Sequence, residues 1–134
     1  MTTKAARSSH GSEALTEGIR VTAAPMYLSA QSDPSSNKFV FSYDITIANE
    51  GDRRAKLVTR HWEIVDANGE RHDVHGPGVV GQTPDIAPGE RFEYSSFCPL
   101  TTPWGTMEGT YEFEREDGST FQAIVARFYL VSGR

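Results

Sequence analysis

From Ile19 onward, apolar and polar residues alternate along most of the chain. Ile19, Val21 and Ala23 alternate with Arg20 and Thr22, and Phe39, Phe41, Tyr43, Ile45 and Ile47 repeat at period two. Alternation of that length predicts a strand with one buried face. Asn49-Glu50-Gly51-Asp52 supplies turn residues. Ala55 to Asp66 predicts a third strand, with Val58, Arg60, Trp62 and Ile64 on one parity and Leu57, Thr59, His61, Glu63 and Val65 on the other. Both faces are mixed, as in a central or twisted strand. Asn68-Gly69 fits a tight hairpin turn and predicts a short return strand, Glu70 to Val74.

The stretch from His75 to Gly89 carries glycines at 76, 78, 81 and 89 and prolines at 77, 84 and 88. It predicts a long loop with a short strand at Val79-Val80. Phe92, Tyr94 and Ser96 mark the next strand, and Pro99 to Gly105 a turn-rich connection. Met107, Gly109, Tyr111 and Phe113 mark another strand, followed by a hairpin turn at Asp117-Gly118. In the last strand the apolar parity flips between Val125 and Phe128. A β-bulge near Ala126-Arg127 accounts for that flip. Nowhere does helical spacing outcompete alternation. About seven antiparallel strands joined by turns predict an all-β sandwich of the immunoglobulin or fibronectin type III kind, with a closed barrel as the alternative. The single cysteine, Cys98, favours the fibronectin-like variant.

Residues 1–17 contain no aromatic residue, Val or Ile. They cannot bury enough apolar surface to offset their ordering entropy and read as a disordered tail. The domain is expected over residues 18–131, with a short C-terminal tail at 132–134. A chain of 134 residues buries roughly two-thirds of its unfolded surface, enough for one core. Its net charge is −5, which argues against a general nucleic-acid binder and against a polybasic membrane patch. The longest apolar run, Phe128 to Val131, is shorter than a membrane span of about 20 residues or a signal-peptide core of about 7–15. A cytoplasmic protein is the simplest expectation.

Four separated blocks then have a familiar order. They are Thr59-Arg60-His61-Trp62-Glu63-Ile64-Val65-Asp66-Ala67-Asn68-Gly69, His75-Gly76-Pro77-Gly78-Val79-Val80-Gly81-Gln82-Thr83-Pro84, Ile86-Ala87-Pro88-Gly89-Glu90-Arg91-Phe92-Glu93-Tyr94 and Leu100-Thr101-Thr102-Pro103-Trp104-Gly105-Thr106-Met107-Glu108-Gly109-Thr110-Tyr111. Together they resemble the ApaG (CorD) family, over about residues 18–131. The resemblance departs at Ala126, where family members usually have a nearby proline, and at His75, where an arginine is common. It implies a fibronectin type III-like sandwich in a bacterial cytoplasmic protein. The family name reflects genetic neighbourhood with a dinucleoside-tetraphosphate hydrolase and a link to cobalt and magnesium tolerance. Similar domains occur in a eukaryotic F-box protein and a polymerase-delta-interacting protein, where a protein-binding role is assumed.

Candidate chemistry is sparse. Gly76-Pro77-Gly78-Val79-Val80-Gly81 fits G-x-G-x-x-G, but Pro84 and Pro88 follow and no helix opens to hold a pyrophosphate. No Lys-Ser or Lys-Thr pair makes it a P-loop. An anion-binding nest of backbone N–H groups, helped by His75 and Arg71, is the weaker form of the same idea. The ordinary alternative is a turn that needs glycine for positive φ. His72 and His75 point to opposite faces of an ideal strand, so a metal site would require His61 and a carboxylate to converge with one of them. No metal and no cofactor is expected. Cys98 has no cationic neighbour in sequence and reads as a buried hydrophobe. Glu108, Glu112 and Glu114 read as a solvated strand face. Trp62 reads as core, whereas Trp104, between Pro103 and Gly105, sits in a loop where tryptophan is a favoured interface anchor. These features predict a non-catalytic interaction module. It would bind an unidentified protein partner through His75, Gly76, Gly78, Gly81 and Trp104. A phosphate or pyrophosphate binder or hydrolase using the 76–81 loop is the rival reading. A weak homodimer through an unpaired strand edge is a further expectation.

Overall fold

A computed structural model describes residues 10–133. Nine strands run β1 (Ser12–Thr16), β2 (Ile19–Tyr27), β3 (Phe39–Asn49), β4 (Ala55–Asp66), β5 (Arg71–Pro77), β6 (Asp85–Ile86), β7 (Arg91–Leu100), β8 (Trp104–Glu114) and β9 (Thr120–Val131). They form two antiparallel sheets. One has the order β1-β2-β3-β7, and the other β5-β4-β8-β9 with the two-residue β6 also on β4. The expected all-β sandwich is therefore the fold.

The alternating strands behave as their pattern dictates. Ile19, Val21 and Ala23 of β2 and Phe39 to Ile47 of β3 at odd positions are buried. In β9 the buried set passes from Ala123 and Val125 to Phe128 and Leu130. Met107 pairs with Phe128 but Gly109 pairs with Val125, which places the extra residue of a bulge at 126–127 as expected. A second bulge explains the mixed faces of β4. Leu57 pairs with Phe113 and Thr59 with Glu112, so Val58 is the extra residue. Buried Ala55 and Leu57 before it give way to buried Trp62 and Asp66 after it.

Three boundaries differ from expectation. The tail assigned to residues 1–17 ends too late, because Ser12–Thr16 is a strand; residues 1–9 of that tail lie outside the described residues. Glu17 and Gly18 both have positive φ and join β1 to β2 in a two-residue turn. The loop expected from His75 begins later, as β5 continues to Pro77, and Val79 meets Gln82 only as an isolated bridge in a tight turn. Trp104 is the first residue of β8 rather than a loop residue. Of the C-terminal tail, Ser132 is tied by its N–H to the Pro103 carbonyl, and residue 134 lies outside the described residues.

The two sheets are joined at one pair of edges. There β1 lies along β9. Ser12 Oγ donates to the Ala126 carbonyl in the bulge at 2.7 Å. The Ile124 N–H donates to Thr16 Oγ1, and the Tyr129 N–H to the His10 carbonyl. Deeper in, Trp62 is 3% exposed and sits edge-on to Tyr43 at 5.5 Å, Tyr111 at 5.9 Å and Phe128 at 5.9 Å. Tyr43 belongs to the other sheet, so this cluster pins the layers together.

Two expected outcomes follow. Deleting residues 1–17 removes β1 and exposes the edge of β9; in urea unfolding it should cost more than about 1 kcal/mol, the scale of a minor surface change, with Ser12→Ala alone costing about 1 kcal/mol. Trp62→Ala should cost about 3–5 kcal/mol, while Trp104→Ala, at a residue 46% exposed, should stay within about 1 kcal/mol. Equal losses from the two tryptophans would contradict the core assignment.

Candidate functional site

The residues singled out by sequence fall into two places. His75 and Gly76 lie on β5, and Gly78 and Gly81 in the turn that follows it. Trp104 lies at the other end of the sheet. Thr59 pairs with Pro77 and Asp66 with Gly105, so a rise of about seven residue steps along β4, about 23 Å, separates the glycine turn from Trp104. They do not form one surface.

The glycine turn is held by its own backbone. The Gly78 N–H donates to the Val58 carbonyl at 2.9 Å, and Val79 and Gln82 exchange N–H donors at 2.8 Å each. Three N–H groups that an anion nest could use, those of Gly78, Val79 and Gln82, are thus spent on protein carbonyls. Gly78 has φ +59° and a Cβ there would stand 2.2 Å from the Gln82 carbonyl oxygen. Val80 holds φ +43°, a costly conformation for a β-branched residue. It is exposed, whereas Val79 is buried. Gly76 has a different task. It lies opposite Arg60 in the register, and the Arg60 guanidinium covers it so closely that a Cβ would sit 3.0 Å from Cζ and both terminal nitrogens.

His75 faces the outer side of the sheet and stacks on His61, ring centroids 4.0 Å apart. His61, Asp73 and His75 do converge there, with potential ligand atoms within 4.8 Å of one another. Cross-strand register, not spacing within β5, brings them together. Asp73 is already engaged. Arg71 Nε and Nη2 donate to its two oxygens at 2.7 and 3.1 Å, and His61 Nε2 lies 3.0 Å from Oδ2. Chiefly the Arg71 bonds, then His61, hold its carboxyl well below the usual range. This is the geometry of a satisfied surface ion-pair network. A second group, Asp66, Glu70 and His72, has its Asp66 Oδ1 accepting from the Asn68 and Glu70 N–H groups of the hairpin turn.

Beside the recess of about 540 Å³ lined by His61, His75 and Gly76, a further concavity lies between the edges of β5 and β7. Two adjoining recesses of about 510 and 360 Å³ share Tyr43, Arg60, Trp62 and Ser96. Val74 and His72 of β5 wall one side and Phe97 to Leu100 of β7 the other, and Val79 to Gly81 close one end. Phe97 is 66% exposed and Val74 38%. The floor is the aromatic cluster around Trp62. Tyr94 and Tyr111 share a hydrogen bond at 2.5 Å between their hydroxyls, and burial pushes the pKa of both upward. Arg60 is the cation of this groove, donating through Nη1 to the carbonyls of Pro77 and Gly78 at 3.0 and 2.8 Å. Sequence reading passed over Arg60, since one arginine in a mixed strand carries no motif.

With this geometry in view, known proteins place the chain. The family model described as ApaG domain matches residues 29–115. The chain belongs to the ApaG domain family. "Protein ApaG" of Anaeromyxobacter dehalogenans (strain 2CP-C) is 53% identical over 120 residues, 90% of this chain and 94% of that protein. "Protein ApaG" of Agrobacterium fabrum is 50% identical over 119 residues, 89% and 92% of the two chains. The solved structure of an ApaA protein from Bordetella pertussis superposes with a TM-score of 0.84 at 46% identity, covering 87% of this chain and 94% of that one. The C-terminal domain of wzt shares the fold alone, at TM-score 0.54 and 9% identity. No helix among the described residues is long and apolar enough to cross a membrane.

Cys98 is buried on β7, and burial pushes its thiol up to about 11. Since the thiolate is the reactive form, the folded protein at pH 7.5 should resist iodoacetamide while the urea-unfolded chain is alkylated readily. Rapid alkylation of the folded chain would reinstate Cys98 as a candidate nucleophile.

Proposed function

We propose that this ApaG-family chain is a non-catalytic interaction module that takes a segment of a partner protein in the open groove between β5 and β7. One observation carries the reading. The sandwich is tied along β1 and β9, whereas the opposite pair of edges stands apart over an aromatic floor. Free strand edges offer unpaired backbone N–H and C=O groups to an incoming strand, and pockets between them select alternate side chains. Chemistry supports the same reading. The one cysteine is a buried thiol, and the carboxylate best held in its charged form, Asp73, is locked in ion pairs on the outer face. The pyrophosphate alternative is weakened, because the Gly78, Val79 and Gln82 N–H groups of the glycine turn already donate to protein carbonyls. A cytoplasmic location and a role in divalent-cation tolerance belong to this proposal as well, the latter exerted through the bound partner rather than through a metal held by this chain.

The test is affinity capture with the native chain and two variants that fill or rim the groove, Ser96→Trp and Val74→Arg, each first checked for an unchanged thermal transition. The expected result is a partner retained by wild type and by Trp104→Ala and lost by both groove variants. Retention of every partner by both groove variants would overturn the groove as the binding surface.

A further inference from the structure

Among the described residues, every arginine other than Arg60 pairs with a carboxylate within 4.0 Å. In a chain of net charge −5, acids are in excess, yet no acid of the described residues reaches the one arginine that lines the groove. Its position is not loose. Gly76 seats the face of the guanidinium, and Nη1 is fixed by the carbonyls of Pro77 and Gly78. That leaves Nε and Nη2, the pair of donors on one side of the fork, without a hydrogen-bond partner among the described residues. Two parallel N–H donors on a planar fork match the two oxygens of a carboxylate.

We infer that Arg60 is the specificity-determining residue of the groove, and that the segment it takes is an extended peptide presenting one Asp or Glu side chain flanked by apolar residues. This rests on the groove being the binding surface. Charge complementarity selects the acid, because the cation is held in place, half-buried, with its fork unfilled. The aromatic floor of Tyr43 and Trp62 and the apolar rim of Val74, Phe97 and Leu100 select the flanking side chains. A single cation beside an apolar trough suits one carboxylate. A phosphate-bearing ligand or a nucleic acid draws on several cations, and Arg60 is the one arginine or lysine that lines the groove. At the far end of the trough the ionisable side chains are Asp66 and His72, with Asp66 capped by the N–H groups of Asn68 and Glu70. One acidic anchor at the Arg60 end therefore also sets the direction in which the segment lies.

The experiment is selection of a randomised peptide library on the immobilised full chain, followed by titration of the best peptide. The expected result is enrichment of one acidic position beside apolar or aromatic ones. Replacing that acid by its amide in the peptide, a change that cannot disturb the fold, should weaken binding roughly ten- to hundredfold. Arg60→Gln should weaken the acidic peptide by a similar factor and leave the amide peptide nearly unchanged, and Arg60→Lys should recover part of the loss. Gly76→Ala, which displaces the guanidinium from its seat, should act in the same direction. Peptides enriched without an acidic preference, yet lost on Ser96→Trp, would overturn the role of Arg60 and leave the groove reading standing. Peptides whose binding ignores Ser96→Trp and Val74→Arg would overturn both. Inorganic pyrophosphate that binds in an Arg60-dependent way and displaces the peptides would overturn the peptide in favour of a small anion.

Discussion

A two-sheet sandwich has two pairs of edges, and here the described residues tie only one of them. The tie depends on a bulge. An extra residue at 126–127 of β9 leaves the Ala126 carbonyl outside the ladder, and Ser12 of β1 donates to it. On that side β1 lies along β9 and covers the seam. With it, the seam between β1 and β9 is sealed and the one between β5 and β7 is left as the place where the interior approaches the surface. The groove is thus a consequence of topology. The outermost strands of the two sheets on that side are joined by no ladder, and the distance between them is set by what packs beneath, chiefly Trp62 against Tyr43, Tyr111 and Phe128.

How far the sequence discloses this depends on how local each cause is. Strands β3, β8 and β9 were legible because their alternation is uninterrupted or broken by a bulge that shows as a parity flip. In β4 the same kind of bulge, at Val58, showed only as confusion between faces, because the inward face after it carries Arg60 beside Trp62 and Ile64. Strand β1 was missed for two reasons. Its one large apolar residue, Leu15, is exposed, and its turn is Glu17-Gly18, with glutamate at φ +47° where asparagine or aspartate is the usual signal. It is stabilised by what lies 114 residues away in the chain, Ser12 against Ala126, and no window of sequence contains that.

The candidate site obeys the same rule. His75 and the glycines stood out as residue types, but their meaning comes from pairing. His61 and Asp73 meet only because β4 and β5 are in register. The pattern G-x-G-x-x-G drew attention to a phosphate cradle, and each glycine has a mechanical reason instead. Gly78 turns the chain where a Cβ would strike the Gln82 carbonyl, and Gly76 leaves room for a guanidinium from the neighbouring strand.

That last relation joins the fold to the proposed function. The bulge at Val58 shifts the parity of β4, and it is this shift that turns Arg60 inward, onto the same face as Trp62, instead of outward beside His61. An inward arginine one strand in from the sheet edge must be seated and partly satisfied. Gly76 supplies the seat, and the carbonyls of Pro77 and Gly78 take one of its terminal nitrogens. The turn in turn needs those bonds, since Val80 within it holds an unfavourable φ. Bulge, glycine, turn and arginine are therefore one mechanical unit. Arg60 lines the seam that the described residues leave untied, so the groove's shape and its charge have a common origin in one extra residue of β4.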